Sequence, residues 1–176
     1  MPGAEVRGRF GLGDLYAKSG REMTDLFEGG CACGAVRYRF NSAPMFVNCC
    51  HCRDCQRQTG SAFVINALIE TDRISLVSGR PEPVSVPTGS GRPHDIHRCA
   101  NCRTALWSDY GRRPALRFLR VGTLDDPAAL PPDAHIFTRS KLPWVMLSEN
   151  VPAFDIYYDM KALWPAASLE RLAILA

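Results

Sequence analysis

No stretch of this 176-residue chain comes near the eighteen consecutive apolar residues of a membrane-spanning helix, so no membrane partner is expected. The opening segment MPGAEVRGRFGLGDLYAKSG likewise lacks the apolar run of a secretory leader, since Glu5, Arg7, Arg9 and Asp14 interrupt it. Both absences lead to the expectation of a cytoplasmic protein. Lysine is scarce, with 3 residues against 18 arginines, and 18 acidic residues hold the net charge to +3. That balance is too weak and too dispersed to call for a nucleic-acid partner. No Ser, His and Asp grouping suggests a hydrolase, no glycine-rich phosphate loop follows a strand, and no internal repeat or low-complexity tract is visible.

Cysteine, by contrast, is plentiful. There are eight, and half of them fall within CCHCRDC, residues 49–55. Disulfides seldom persist in a reducing cytosol, so clustered thiols there point to metal or redox chemistry.

At 46% hydrophobic residues the chain suits one domain with one core. Residues 1–27 show no period and read as an N-terminal arm. In AVRYRF, Val36, Tyr38 and Phe40 alternate with Arg37 and Arg39, the period-two signature of a half-buried strand. Apolar runs at 45–49, 62–69, 74–78, 83–87, 104–108 and 116–122 read as further strands, separated by turn material such as SGRPE and TGSGRP. The expected fold is mainly β, a single domain over 28–160 made of several small twisted antiparallel sheets. Helix is expected only as a turn within CRDCQRQTG and a short segment in the tail 161–176, where AASLERLAILA is rich in helix formers.

By spacing, Cys31 and Cys33 form a CxC, Cys50, Cys52 and Cys55 a CxCxxC, and Cys99 and Cys102 a CxxC, with Cys49 left over. Two residues of extended chain span roughly 6.6 Å, and a bend brings their sulfurs close enough to share a zinc ion about 2.3 Å from each. Cys31, Cys33, Cys99 and Cys102 can therefore close a structural site that staples residue 31 to residue 102. Cys50, Cys52 and Cys55 leave a tetrahedral zinc one open position, the mark of a catalytic site. Spacing alone also allows the Cys99 pair to complete the triplet's zinc. Neighbours in a strand point to opposite faces, so Cys50 and Cys52 share a side while Cys49 and His51 turn away. Cys49 then reads as a small buried apolar residue and His51 as a hydrogen-bonding neighbour. His94 and His97, three apart in a strand, face opposite sides and make no metal pair.

The blocks GGCACGAVRYRF, CCHCRDCQRQTGSAF, VSGRPEPVSVPTGSGRPHDIHRCANCRTALW and VGTLDDPAALPPDAHIFTRSKLPWV closely resemble, in that order, the motifs of the glutathione-dependent formaldehyde-activating enzyme family, which includes the centromere protein V relatives. The resemblance implies an all-β fold of small twisted sheets with two zinc ions. One is structural, on Cys31, Cys33, Cys99 and Cys102, and the second lies on Cys50, Cys52 and Cys55; with one ligand fewer, that second, catalytic ion is expected to be the more labile. The implied reaction forms S-hydroxymethylglutathione from glutathione and formaldehyde, formally carbon–sulfur lyase chemistry. One departure stands out: the family's second knuckle usually runs CxxCG, whereas Arg103 follows Cys102 here. Glycine suits the left-handed turn behind a zinc knuckle, and another residue there costs about 1 kcal/mol.

A thiolate-rich zinc with an open position suits a thiol, because zinc binds sulfur well and lowers its pKa toward neutrality. Three thiolates also make zinc a poor Lewis acid, so the metal is expected to anchor the thiol that attacks the aldehyde. Around the triplet, Arg53, Thr59 and Ser61 are candidate polar contacts for a peptide-like acidic substrate, Phe63 and Trp144 candidate walls, and residues 56–60 a candidate roofing loop. His135 is the histidine to test as a proton donor. The expected partners are a small thiol and an aldehyde, with a homodimer left open. A rival reading from another class is a non-enzymatic zinc module binding a protein or nucleic acid, supported by the arginine excess, since arginine forks suit phosphate.

Overall fold

A computed structural model describes residues 26–175, so the N-terminal arm expected over 1–27 lies almost wholly outside the described residues. The smaller of two sheets contains β1 (Phe27–Gly30), β2 (Arg37–Phe40) and β5 (Ser75–Ser78), antiparallel and in that order. The larger contains β3 (Phe46–Cys50), β4 (Val64–Glu70), β6 (Glu82–Ser85), β7 (His94–Arg98), β8 (Ala105–Tyr110), β9 (Leu116–Arg120) and β10 (Ala134–Ile136). Its strand order is β10-β3-β4-β9-β8-β7-β6. The chain is thus a mainly β single domain, as expected. Two features differ from expectation: the larger sheet is continuous over seven strands, and its edge pair β10 and β3 is parallel. Helix is confined to short segments, chiefly α1 (Arg53–Thr59), α2 (Met160–Leu163) and α3 (Ala166–Ile174). No helix among the described residues is long and apolar enough to cross a membrane.

Alternation along the strands sorts the core into two layers. Val47 on β3, Ala67 and Ile69 on β4 and Leu119 on β9 pack with Tyr38, Phe40 and Trp107. Phe46, Leu68 and Leu116 point the other way and pack with Ile136, Tyr158 and Trp164. Both faces are therefore covered, and every residue of β3 is buried. The chain's end closes the second layer. Trp164 stacks on Phe46 at 5.2 Å and donates to the Tyr158 hydroxyl, which donates in turn to Asn48 Oδ1, each bond 2.9 Å long. On α3, Arg171 grips the buried Glu70 with two parallel bonds, from Nε at 2.7 Å and Nη2 at 2.6 Å, and its Nη1 donates to the Ala43 carbonyl at 3.0 Å. These contacts hold β3 and β4 in place beneath the cysteines.

Candidate functional site

Cys31 and Cys33 lie in the turn between β1 and β2, and Cys99 and Cys102 in the turn between β7 and β8. Their four sulfurs all lie within 4.8 Å of one another. Cys31 and Cys33 are 3.5 Å apart and Cys33 and Cys99 3.8 Å, against about 3.8 Å for the edge of a sulfur tetrahedron around zinc. The two knuckles share one design. Gly34 at φ +74° donates its N–H to the Cys31 carbonyl at 3.0 Å, and Arg103 at φ +60° donates to the Cys99 carbonyl at the same distance. Arginine in the family's glycine position therefore keeps the left-handed turn and bears its strain. Donors are aimed at the sulfurs: the Val36 N–H lies 3.2 Å from Cys31 Sγ, and the Thr104 hydroxyl 3.1 Å from Cys102 Sγ. That hydroxyl, with the Thr104 backbone, holds the Cys102 thiol down at about 5. Four converging sulfurs, two of them with donors aimed at them, fit zinc.

The second cluster forms where β3 gives way to α1. Cys52 caps the helix, its sulfur accepting from the Cys55 N–H at 3.4 Å, which places the two one helical turn apart beside Cys50. The sulfurs of Cys50, Cys52 and Cys55 lie within 4.8 Å of one another. Hydrogen bonds from the Cys50 and Cys55 thiols push Cys52 down to about 2, while the same sulfur contacts and burial push Cys50 far up. Three thiols so close cannot all ionise by themselves, and a divalent cation is what allows it. This donor set fits zinc too, with one protein ligand fewer. Residues 56–60 are not a roofing loop: the chain stays helical through Thr59 and closes on Gly60 at φ +66°. The buried Gln56 explains why, since its Nε2 donates to the carbonyls of His51 at 2.8 Å and Ser140 at 2.9 Å. The Ser140 hydroxyl also reaches the His51 carbonyl, at 3.0 Å.

Beside α1 opens a cleft of about 450 Å³ whose lining includes Gln58, Thr59, Phe63, Arg98, Arg103 and Arg120. The triplet cysteines do not line it. Arg120 connects the two, because it is only 6% exposed and close enough to Cys55, Cys50 and Cys52 for negative charge on them to oppose the lowering of its pKa by burial. Its Nη1 donates to Asn66 Oδ1, from the residue paired with it across β4 and β9, while Nε and Nη2 have no hydrogen-bond partner among the described residues. A buried guanidinium with idle donors is costly unless an anion lies near it.

Of the residues singled out in the sequence as substrate contacts, Thr59 and Phe63 line the cleft, and the Thr59 hydroxyl donates back to the Cys55 carbonyl at 2.8 Å. Arg53, Ser61 and Trp144 do not. Arg53 is exposed and bonds Gln56 on its own helix, Ser61 is exposed just past α1, and Trp144 is 70% exposed. Cys49, His51 and His135 gather on the side of β3 away from Cys50, all buried. Burial pushes the Cys49 thiol up to about 12 and His51 down to about 4, and lowers His135 as well, which suits neutral imidazoles. Sequence reasoning missed Arg120 entirely. An arginine at a strand end carries no signal that separates it from the other seventeen.

The chain is similar in sequence to known proteins. The family model described as "Glutathione-dependent formaldehyde-activating enzyme" matches residues 26–140. A curated Halomonas elongata protein named "Putative glutathione-dependent formaldehyde-activating enzyme" is 33% identical over 132 residues, covering 71% of this chain and 83% of that one. A crystal structure of a Rhodobacter sphaeroides protein aligns with a TM-score of 0.46 at 18% identity, over 72% of this chain and 99% of that one. The span matched by the family model contains both thiol clusters, and the chain belongs to the glutathione-dependent formaldehyde-activating enzyme family.

Proposed function

We propose that this protein joins a small acidic thiol of the glutathione kind to formaldehyde, or cleaves the product, at Cys50, Cys52 and Cys55, as a carbon–sulfur lyase with one structural and one more labile catalytic zinc. The observation that carries this reading is the inequality of the two clusters, four converging sulfurs at one and three at the other. Family membership supports glutathione-dependent formaldehyde activation as the class of reaction. Cys50, Cys52 and Cys55 would hold the zinc, which would supply a binding position for a thiolate and lower the thiol's proton affinity. In the net reaction the thiol sulfur bonds to the aldehyde carbon and the thiol proton ends on the former carbonyl oxygen.

The chain's own residues supply the rest. Arg120 sets a fixed positive charge and two donor nitrogens without partners, Nε and Nη2, beside the triplet, which favours anionic sulfur and the negative charge that develops on oxygen. Arg98 and Arg103 on the cleft wall offer guanidinium forks to the carboxylates of an acidic thiol, and the Phe63 ring keeps part of that wall dry. Gln56 and Ser140 fix the His51 carbonyl, and with it the turn that presents Cys50 and Cys52. Cobalt substitution tests the reading. Glutathione should change the sulfur-to-cobalt charge-transfer band of the triplet, and S-methylglutathione, which has no thiol to offer, should leave it alone. If several thiols at millimolar concentration leave the band untouched, the thiol-binding role is wrong.

A further inference from the structure

We propose that Cys49 Sγ, His51 Nε2 and His135 Nδ1 form a third metal site, for a borderline-soft divalent cation such as zinc, on the face of β3 opposite Cys50. The site goes beyond the reaction proposed above and shares with it only His51, whose backbone carbonyl steadies the Cys50–Cys52 turn while its imidazole serves here. Its origin lies in the sheet. β10 runs parallel to β3 with His135 directly opposite Cys49, so the two side chains leave the same face, and His51, two residues further along, joins them. The three ligand atoms lie within 4.8 Å of one another.

Two of the three spacings can be set against those of a coordination sphere. With zinc about 2.3 Å from sulfur and about 2.05 Å from nitrogen, tetrahedral angles place sulfur and nitrogen about 3.6 Å apart and two nitrogens about 3.3 Å apart. Cys49 Sγ and His51 Nε2 stand 3.6 Å apart, and His51 Nε2 and His135 Nδ1 stand 3.0 Å apart. One of these edges already matches, the second needs an opening of about 0.3 Å, and the third, between Cys49 and His135, lies within 4.8 Å. Exposure is 2% for Cys49, 0% for His51 and 8% for His135, so bulk water does not compete for these donors. A hydrogen-bonded imidazole pair needs no thiol beside it, and the pair leaves His51 Nδ1 without a partner among the described residues. Metal binding would replace the proton shared between the rings. One imidazole then changes tautomer, Cys49 loses its thiol proton to solvent, and one proton is released per ion.

Cadmium-113 NMR of the fully metal-loaded chain decides the matter, because replacing sulfur donors by nitrogen moves the resonance far upfield. The proposal expects one upfield resonance besides those of the thiolate clusters. Cys49→Ser and His135→Gln should each abolish that resonance, lower the zinc content by one ion per chain, and leave the thiolate resonances in place. A wild-type spectrum with thiolate resonances alone overturns the proposal, and this result does not depend on either variant folding. Unchanged zinc content in a folded Cys49→Ser protein overturns it equally.

Discussion

Replacing Arg103 by glycine should stabilise the protein, although it deletes a charged side chain. Arg103 sits at φ +60° in the knuckle behind Cys102. A residue with a Cβ pays about 1–2 kcal/mol in that left-handed region, a strain that glycine escapes. Against this, glycine adds unfolded-state entropy worth about 0.4–1 kcal/mol. The side chain itself has little to lose: its ion pair with Glu82 is 3.8 Å long with both partners about two-thirds exposed, which makes it worth a few tenths of a kcal/mol. The backbone bonds survive, since the Arg103 N–H still reaches the Cys99 carbonyl and its carbonyl still accepts from Arg98. The balance is a stabilisation of about 0.5 kcal/mol, which for a chain of this size raises the melting temperature by about 1–2 °C. Thermal denaturation of zinc-loaded protein, followed by circular dichroism, measures it. Arg103→Ala is the control, because it loses the ion pair and keeps the strain, and should melt no higher than wild type. A glycine variant that melts below the alanine variant would refute the strain argument.

Three further outcomes are expected. Graded chelation should strip the triplet's zinc first and leave the circular dichroism spectrum intact, since closed structural zinc sites contribute about 10–16 kcal/mol of folding energy in zinc-finger peptides; simultaneous loss of both ions contradicts this. Cys31→Ser and Cys99→Ser should give insoluble or unfolded protein while Cys52→Ser folds and loses one metal, and equal damage from all three would make the triplet structural. Glu70→Gln should lower stability by about 2 kcal/mol at neutral pH, because Arg171 loses a charged partner. Burial raises the Glu70 pKa, but the bonds and charge of Arg171 outweigh it and the net shift is downward from 4.5. The carboxylate's contribution is therefore complete above pH 4.5 and is lost as pH falls through the lowered value, so the melting difference between wild type and variant should shrink below pH 4.5. A difference that stays constant from pH 6 to pH 3 rules out the ion pair as its source.

The two thiol groupings were legible because CxC and CxxC are statements about covalent reach: residues two or three apart can always bend to share an ion, whatever surrounds them. The turning away of Cys49 from Cys50 was legible for a similar reason, since strand alternation is local. Spacing did not decide which knuckle joins which cluster. The pairing of β7 with β8 and of β1 with β2 closes the turns that carry Cys99, Cys102, Cys31 and Cys33, and packing between the sheets brings those turns together. The alternating pattern marked β2, whereas β3 was read from its apolar run, because a strand buried on both faces shows no polar side.

The sequence by itself therefore determined the thiol groupings, their local spacing and the mainly β character, all properties of residues a few positions apart. The tertiary structure alone decided the rest. It set His135 against Cys49 through a parallel pairing across more than eighty residues, tied Gln56 to the Ser140 carbonyl, and buried Arg120 beside the triplet with two donors idle. These placements follow from how the whole chain covers both faces of one sheet, a collective balance of burial that no short stretch of residues encodes.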